Sequence, residues 1–121
     1  MISTGSGKQA APAKAAEPKK PAPHPRGQLS ELLAHPVRFS LMAALSTVDE
    51  ADFSTLRDYL QVSDSALSKR ASQLEDAGLV RARKGFVGKR PRTWLSLTGE
   101  GRRVWASHLA AIKTIARGMK V

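Results

Sequence analysis

The chain has 121 residues, a formal net charge of +10 and no cysteine. A chain of this length is expected to form one domain, and the lack of cysteine excludes a disulfide framework and a thiolate metal site, which favours a reducing cytoplasm. No apolar run is long enough for a signal core or a membrane span, and the basic excess points to a polyanionic partner, of which nucleic acid is the commonest.

The first 27 residues consist mainly of Ala, Pro, Lys, Gly and Ser. They carry five basic side chains against one glutamate, and they hold too little apolar surface to offset the entropy of ordering. The sequence therefore predicts a disordered basic tail over residues 1–27 and a folded domain over residues 28–121. The tail is interpreted either as a solubilising leader or as an arm that contacts phosphates or a DNA groove.

Two helices are predicted next. Leu29, Leu32 and Leu33 recur at helical spacing, and Pro36 can open a second helix because proline is tolerated at a first helical position. Arg38 lies at the edge of the second helix's buried stripe and is either solvated or able to clamp a carboxylate or a phosphate. That stripe is predicted to contain Val37, Leu41, Ala44, Leu45 and Val48.

An acidic link over residues 49–52 is expected to lead into a third, short helix. Ser54 is its predicted N-cap, because a serine hydroxyl can accept from a free backbone N–H at a helix start. The apolar side chains predicted to face inward here are Phe53, Leu56, Tyr59 and Leu60.

A fourth helix is predicted over residues 63–77, with Ser63 as its N-cap. Leu67, Ala71 and Leu74 recur at i, i+4 and i+7 and mark its buried face. The outward side chains are mostly short hydroxyls, which are common on solvated helices but also let a helix approach a groove and donate to bases or phosphates. The predicted DNA-contacting residues of this helix are Ser63, Ser65, Ser68, Lys69, Arg70 and Ser72.

Two alternating runs, residues 80–84 and 93–97, predict an antiparallel hairpin. Six cations fall within twelve residues of it, and residues 79–97 contain no acidic side chain. Such a charge run is often only a solvated face, but a hairpin directly after a helix-turn-helix can straddle a phosphate backbone or enter a minor groove. The cations of this predicted wing are Arg81, Arg83, Lys84, Lys89, Arg90 and Arg92.

A last helix is predicted after Thr98. Its apolar side chains span an arc approaching half the circumference, which is wide for a helix that packs on so small a body. The arc either covers the domain's own core or pairs in part with a second copy, and His108 within it is interpreted as a hydrogen-bonded core or interface residue. The residues predicted at a homodimer interface are Leu29, Leu33, Trp105, Leu109, Ile112 and Ala116.

This order of elements predicts a mainly α fold with a small β-hairpin (α+β), a winged helix-turn-helix. The strings HPVRFSLMAAL, DFSTLRDYLQVSDSALSKRASQLEDAGLV and KGFVGKRPRTWLSLTGEG resemble small prokaryotic winged-helix transcriptional regulators related to the MarR and ArsR groups, over residues 28–115. The resemblance implies a major-groove recognition helix at residues 63–77, a wing at residues 83–92 and a C-terminal helix used for dimerisation. The chain lacks the cysteines and the His/Asp cluster that metal-sensing relatives use.

Together these features predict a sequence-specific, double-stranded DNA-binding transcriptional regulator that is a homodimer in the cytoplasm, associated with the nucleoid. The alternatives are a winged-helix module that docks on an acidic protein and a non-specific nucleic-acid-binding or nucleoid protein. The three histidines have no paired carboxylate or nucleophile motif, so no enzyme activity, metal or cofactor is expected. The sequence names neither an operator nor a small-molecule effector.

Overall fold

The computed structural model describes residues 22–119, so residues 1–21 of the predicted tail lie outside the described chain. Two 3-10 helices replace the first predicted helix, and residues 25–27, expected in the tail, belong to the first of them. In chain order the elements are the 3-10 helices Pro25–Gln28 and Glu31–Ala34, α1 (Pro36–Leu45), β1 (Ala51–Asp52), α2 (Phe53–Leu60), α3 (Asp64–Asp76), β2 (Val80–Val87), β3 (Arg90–Leu97) and α4 (Gly99–Ala116).

Each α-helix begins at a side chain that accepts from a free backbone N–H. At α2 the cap is Asp52, whose carboxylate accepts from the Thr55 N–H at 3.1 Å. The prediction of Ser54 was wrong, because that residue already lies inside the helix and its hydroxyl donates to Asp52. The other three capping residues are His35 at α1, Ser63 at α3 and Thr98 at α4.

The core lies between α1, α3 and the base of the hairpin. Its largest fully buried side chains are Leu33, Leu41, Met42, Leu45, Leu67 and Leu74. α4 starts in close contact with this core at Gly101, where a Cβ would lie only 2.0 Å from the Leu79 carbonyl oxygen. A side chain at this position would force the helix away from Leu79, the residue before β2.

Two side chains predicted in the core are exposed. Val48 is 40% exposed, because α1 ends three residues earlier and its helical period does not reach that far. Tyr59 is 73% exposed, because it lies about 100° round the axis of α2 from Leu60. Only Leu56 of this short helix is fully buried, while Phe53 is half-buried.

The hairpin is longer than predicted. β2 and β3 pair over eight residues each, from Val80 opposite Leu97 to Val87 opposite Arg90. Gly88 takes the positive φ of 64° that the first position of a tight two-residue turn needs, which glycine adopts without strain. The alternating pattern ends at Lys84 and resumes only at Thr93, but backbone pairing does not depend on side-chain polarity, so the strands extend further than the pattern.

A third strand, β1, falls inside the predicted acidic link. It adds to the free edge of β3, with Ala51 opposite Leu95 and Asp52 opposite Trp94, and gives an antiparallel sheet of order β1-β3-β2. Its two residues were too few to give a periodic signal. The pairing brings two acidic residues, Glu50 and Asp52, to the base of the wing.

Candidate nucleic-acid interface

α3, the predicted recognition helix, has the buried face that the sequence predicted. Leu67 and Leu74 are fully buried and Ala71 nearly so. The opposite side of the helix is exposed, and three serine hydroxyls and one lysine ammonium group lie along it at i, i+3, i+4 and i+7. We call this set the serine face of α3: Ser65, Ser68, Lys69 and Ser72.

Two other predicted DNA-contacting residues of α3 have intramolecular partners. Ser63 Oγ accepts from the Ala66 N–H at 3.1 Å and lies 3.3 Å from Ser65 Oγ. Arg70 is half-buried, about 140° round the helix axis from Ser65. It donates to Gln73 Oε1 at 3.2 Å. The serine face therefore contains four of the six residues predicted on this helix.

Arg38 ties α1 to α3. Its Nη1 donates to Gln73 Oε1 at 2.6 Å and its Nε to the Leu32 carbonyl oxygen, so it is neither freely solvated nor a clamp for a carboxylate. Sequence reasoning missed Gln73, because its partner on α1 is 35 positions away. Burial lowers the pKa of His35, and the charges of Arg70 and Arg38 lower it further, which keeps this capping ring neutral.

The hairpin register divides the wing cations between two faces, because successive strand residues point to opposite sides. Lys84 shares one face with Ala82 and Phe86, the face that packs on the core at its base. Lys89 lies in the turn. The four cations on the other face are Arg81, Arg83, Arg90 and Arg92.

Two of these cations have acidic partners. Arg83 donates from Nε and Nη2 to the Glu50 carboxylate at 3.2 and 2.6 Å, and its guanidinium stacks 4.1 Å from the centre of the Trp94 ring. Arg92 Nε lies 3.3 Å from Asp52 Oδ1. The sequence interpretation considered only acids within residues 79–97, whereas both carboxylates come from β1 and the residue before it.

Hydrogen bonds keep both carboxyl groups charged. The hydrogen bond from Arg83 lowers the pKa of Glu50, and the hydrogen bond from the Ser54 hydroxyl lowers the pKa of Asp52 against the opposing effect of burial. Across residues 22–119 the remaining wing cations form no ion pair. We call them the unpaired wing cations: Arg81, Lys84, Lys89 and Arg90.

A shallow groove of about 300 Å³ joins α3 to the hairpin. Ser68 and Ser72 line one side of it, and Lys84 and Thr93 line the other. Glu75 contributes the groove's one negative charge, at the C-terminal end of the helix. The serine face and the core-side face of the wing therefore form one continuous surface.

The residues predicted at a dimer interface fall into different environments. Leu33 is 2% exposed and belongs to the core of the chain itself, so it has no surface to offer a second copy. Trp105 is half-buried and packs on Phe39, with ring centroids 5.1 Å apart. The other four are also half-buried or exposed: Leu29, Leu109, Ile112 and Ala116.

His108 joins α4 to the N-terminal segment. Its Nδ1 accepts from the Ser30 N–H at 2.9 Å, and its ring lies 5.8 Å from that of Phe39. Burial lowers the pKa of His108, which keeps the ring neutral and able to accept this bond. The interpretation of a hydrogen-bonded core histidine is confirmed. An open cleft of about 810 Å³ beside it is lined in part by Leu29 and Ile112.

Within the described chain no helix combines the length and apolar character that crossing a bilayer requires. Residues 22–119 also hold no group of three or more His, Asp or Glu side chains placed to bind a metal ion.

The family model described as a winged helix DNA-binding domain matches residues 37–116. The chain belongs to the winged helix DNA-binding domain family. The matched range contains the serine face, the groove and the whole wing, so the winged helix fold predicted from the sequence is confirmed. Because this is a family of DNA-binding domains and not of enzymes, the family membership also confirms the prediction that the protein is not an enzyme.

Solved structures share this winged helix. A transcriptional regulator homologue from Pyrococcus horikoshii OT3 is 29% identical, with a TM-score of 0.69 over 76% of this chain and 91% of that one. ZitR, a zinc-responsive MarR family member from Lactococcus lactis, is 18% identical, with a TM-score of 0.52 over 67% of this chain and 55% of that one, which shows the fold alone. An uncharacterized protein of Methanocaldococcus jannaschii is 24% identical over 84 residues, 69% of this chain and 91% of that protein. The predicted resemblance to winged helix regulators is confirmed by the family model and the Pyrococcus structure, and the likeness to a MarR family member is a likeness of fold.

Proposed function

We propose that this protein is a sequence-specific transcriptional regulator that binds double-stranded DNA through α3 and the wing. The observation that carries the proposal is the groove in which Ser68 and Ser72 lie opposite Lys84. Short hydroxyls let a helix approach base edges, and cations beside them can hold the flanking phosphates. Membership of a DNA-binding family supports duplex DNA over an acidic protein as the partner.

Affinity and selectivity are divided between the two elements. No carboxylate of the described chain neutralises the unpaired wing cations, so these side chains are free to contact phosphates. Such contacts do not depend on the DNA sequence. The serine face supplies readout of bases in the major groove. Arg83 and Arg92 contribute mainly by fixing the wing to Glu50 and Asp52, and less by contacting phosphates.

The same proposal includes a homodimer. α4 and the N-terminal segment leave apolar side chains half-buried or exposed, among them Leu29, Leu109 and Ile112. A two-fold arrangement through these residues would present two copies of α3 to successive major grooves, about 34–36 Å apart. Ala116 at the end of α4 and one edge of Trp105 complete the proposed contact.

Selection of bound duplexes from a random pool, with the light-scattering mass of the free protein measured alongside, tests this function. We expect a preferred sequence repeated with two-fold symmetry and a mass twice the 13.0 kDa of one chain. Equal, salt-sensitive binding of every duplex would favour the non-specific nucleic-acid binder. A protein that shows no salt-sensitive binding to any duplex would favour the module that docks on another protein.

A further inference from the structure

The tip of the wing carries apolar side chains in an otherwise cationic hairpin. Phe86 is 70% exposed and Val87 46% exposed, although both lie in a paired strand. Phe86 stands directly opposite Pro91, whereas Val87 stands opposite Arg90. Because strand residues alternate between faces, Phe86 and Pro91 form an apolar pair on one face and Val87 lies on the other.

The register also shows which way this pair faces. On the same face, Ala82 opposite Leu95 packs at the core, and Lys84 opposite Thr93 lines the groove beside α3. Phe86 is the next position along this face, about 7 Å beyond Lys84. The apolar pair therefore continues the surface that contains the serine face, beyond the edge of the domain.

Charge around the pair identifies the chemistry of its partner. Lys84, Lys89 and Arg90 surround the tip, and none of them has an acidic partner in the part of the chain that the structure describes. An exposed phenyl ring framed by unpaired cations fits a polyanion that offers an apolar recess between its charges. A DNA minor groove has this form, because phosphates flank walls made of deoxyribose and base edges.

We propose that Phe86, supported by Pro91, is an apolar wedge that enters the minor groove next to the major-groove segment facing α3. This inference rests on the proposed function and adds a contact to it. The minor groove is about 6 Å wide, so it admits one side chain of the tip and not the ribbon. Apolar wedges partly unstack the base step they enter, and pyrimidine–purine steps unstack most easily. The wing then contributes selectivity without hydrogen bonds to bases.

The test compares Phe86→Ala, Phe86→Leu and Val87→Ala with the unchanged protein on the duplex recovered by selection, with 2-aminopurine placed in turn at the flanking base steps. We expect Phe86→Ala to weaken binding about tenfold or more, with an unchanged salt dependence because no charge is lost. It should also abolish a 2-aminopurine fluorescence increase that the unchanged protein produces. Phe86→Leu should retain part of both effects, and Val87→Ala, the matched control on the other face, should bind within about twofold.

Circular dichroism melting of the three variants verifies that they fold. Equal affinity of Phe86→Ala and the unchanged protein on a duplex that both bind overturns the wedge and leaves the proposed function standing. An equal loss in Val87→Ala also overturns it, since the effect would not belong to one face. Phe86-dependent binding to phosphatidylglycerol vesicles with unaltered duplex affinity would assign the tip to a lipid surface instead. Failure of the unchanged protein to bind any duplex removes the proposed function and the wedge together.

Discussion

Asp52 is a single residue that contacts three elements: it lies in β1, caps α2 and pairs with β3. Its Oδ2 accepts from the Thr55 N–H and from the Ser54 hydroxyl at the start of α2. Its Oδ1 lies 3.3 Å from Arg92 Nε, and its backbone pairs with Trp94 in the sheet. The position of the wing relative to the helix-turn-helix therefore depends on this aspartate.

We expect Asp52→Ala to lower the free energy of unfolding by about 1–2 kcal/mol, because the helix loses its cap. Ser54→Ala should cost about 0.5 kcal/mol or less, since that side chain only donates to the cap. Urea unfolding of both variants measures the difference. A larger cost for Ser54→Ala would contradict the assignment of Asp52 as the cap.

The buried ring of His108 makes stability depend on pH. Burial places its folded pKa below the unfolded value of about 6.5. Between these two values the unfolded chain binds more protons, so the free energy of unfolding should fall as the pH drops below about 6.5, and this contribution should level off below the folded pKa.

His108→Gln should reduce this pH dependence, because a glutamine oxygen can still accept from the Ser30 N–H but does not titrate. Denaturant unfolding at several pH values between about 7.5 and 5 measures it. We assign to His35, whose pKa is also lowered, any decrease in the free energy of unfolding that this variant still shows as the pH falls. An unaltered profile in His108→Gln would show that His108 is not the titrating group.

At the scale of the wing, two arginines on the same face differ in their ion pairs: Arg83 is bonded to Glu50, whereas Arg90 has no acidic partner in the described chain. Arg90→Ala should lower the slope of log affinity against log salt by about 0.9, the value for one lost phosphate contact. Arg83→Ala removes the same formal charge from a side chain already bonded to Glu50, so its slope should change less. Fluorescence anisotropy of a labelled duplex over a range of salt concentrations measures both slopes. Equal changes would mean that Arg83 leaves Glu50 when DNA binds.

Elements with local signals were predictable, and contacts between distant segments were not. α3 was placed within one residue at each end, because its cap at Ser63 and its buried period lie within the segment itself. β1 was missed because its partner strand begins almost forty residues later and two residues carry no periodicity. The bond from Arg38 to Gln73 and the ion pairs of Arg83 and Arg92 depend likewise on tertiary contacts, so the six wing cations looked equivalent in the sequence.

At the scale of the whole domain, consecutive residues of α1 connect the two proposed contact surfaces. Arg38 donates to Gln73 on α3, the helix that carries the serine face. Phe39 packs on Trp105 and His108 of α4, the helix proposed to pair with a second copy. A displacement of α4 in the proposed dimer would therefore be transmitted through one turn of α1 to α3, the helix proposed to enter the DNA major groove. The spacing of the two recognition helices would be fixed by this short path.

The dimer can be tested with two alanines of α4 that are both exposed in the protomer. Ala116 lies about 20° round the helix axis from Leu109, on the proposed interface, whereas Ala110 lies about 100° from it. Ala116→Glu should therefore give a monomeric light-scattering mass, because two buried carboxylates would face each other across the two-fold axis. It should also weaken binding to a two-site duplex far more than binding to a single half-site. Ala110→Glu adds the same charge to the same helix and should remain a dimer. If both variants keep the dimeric mass, the subunits associate through another surface.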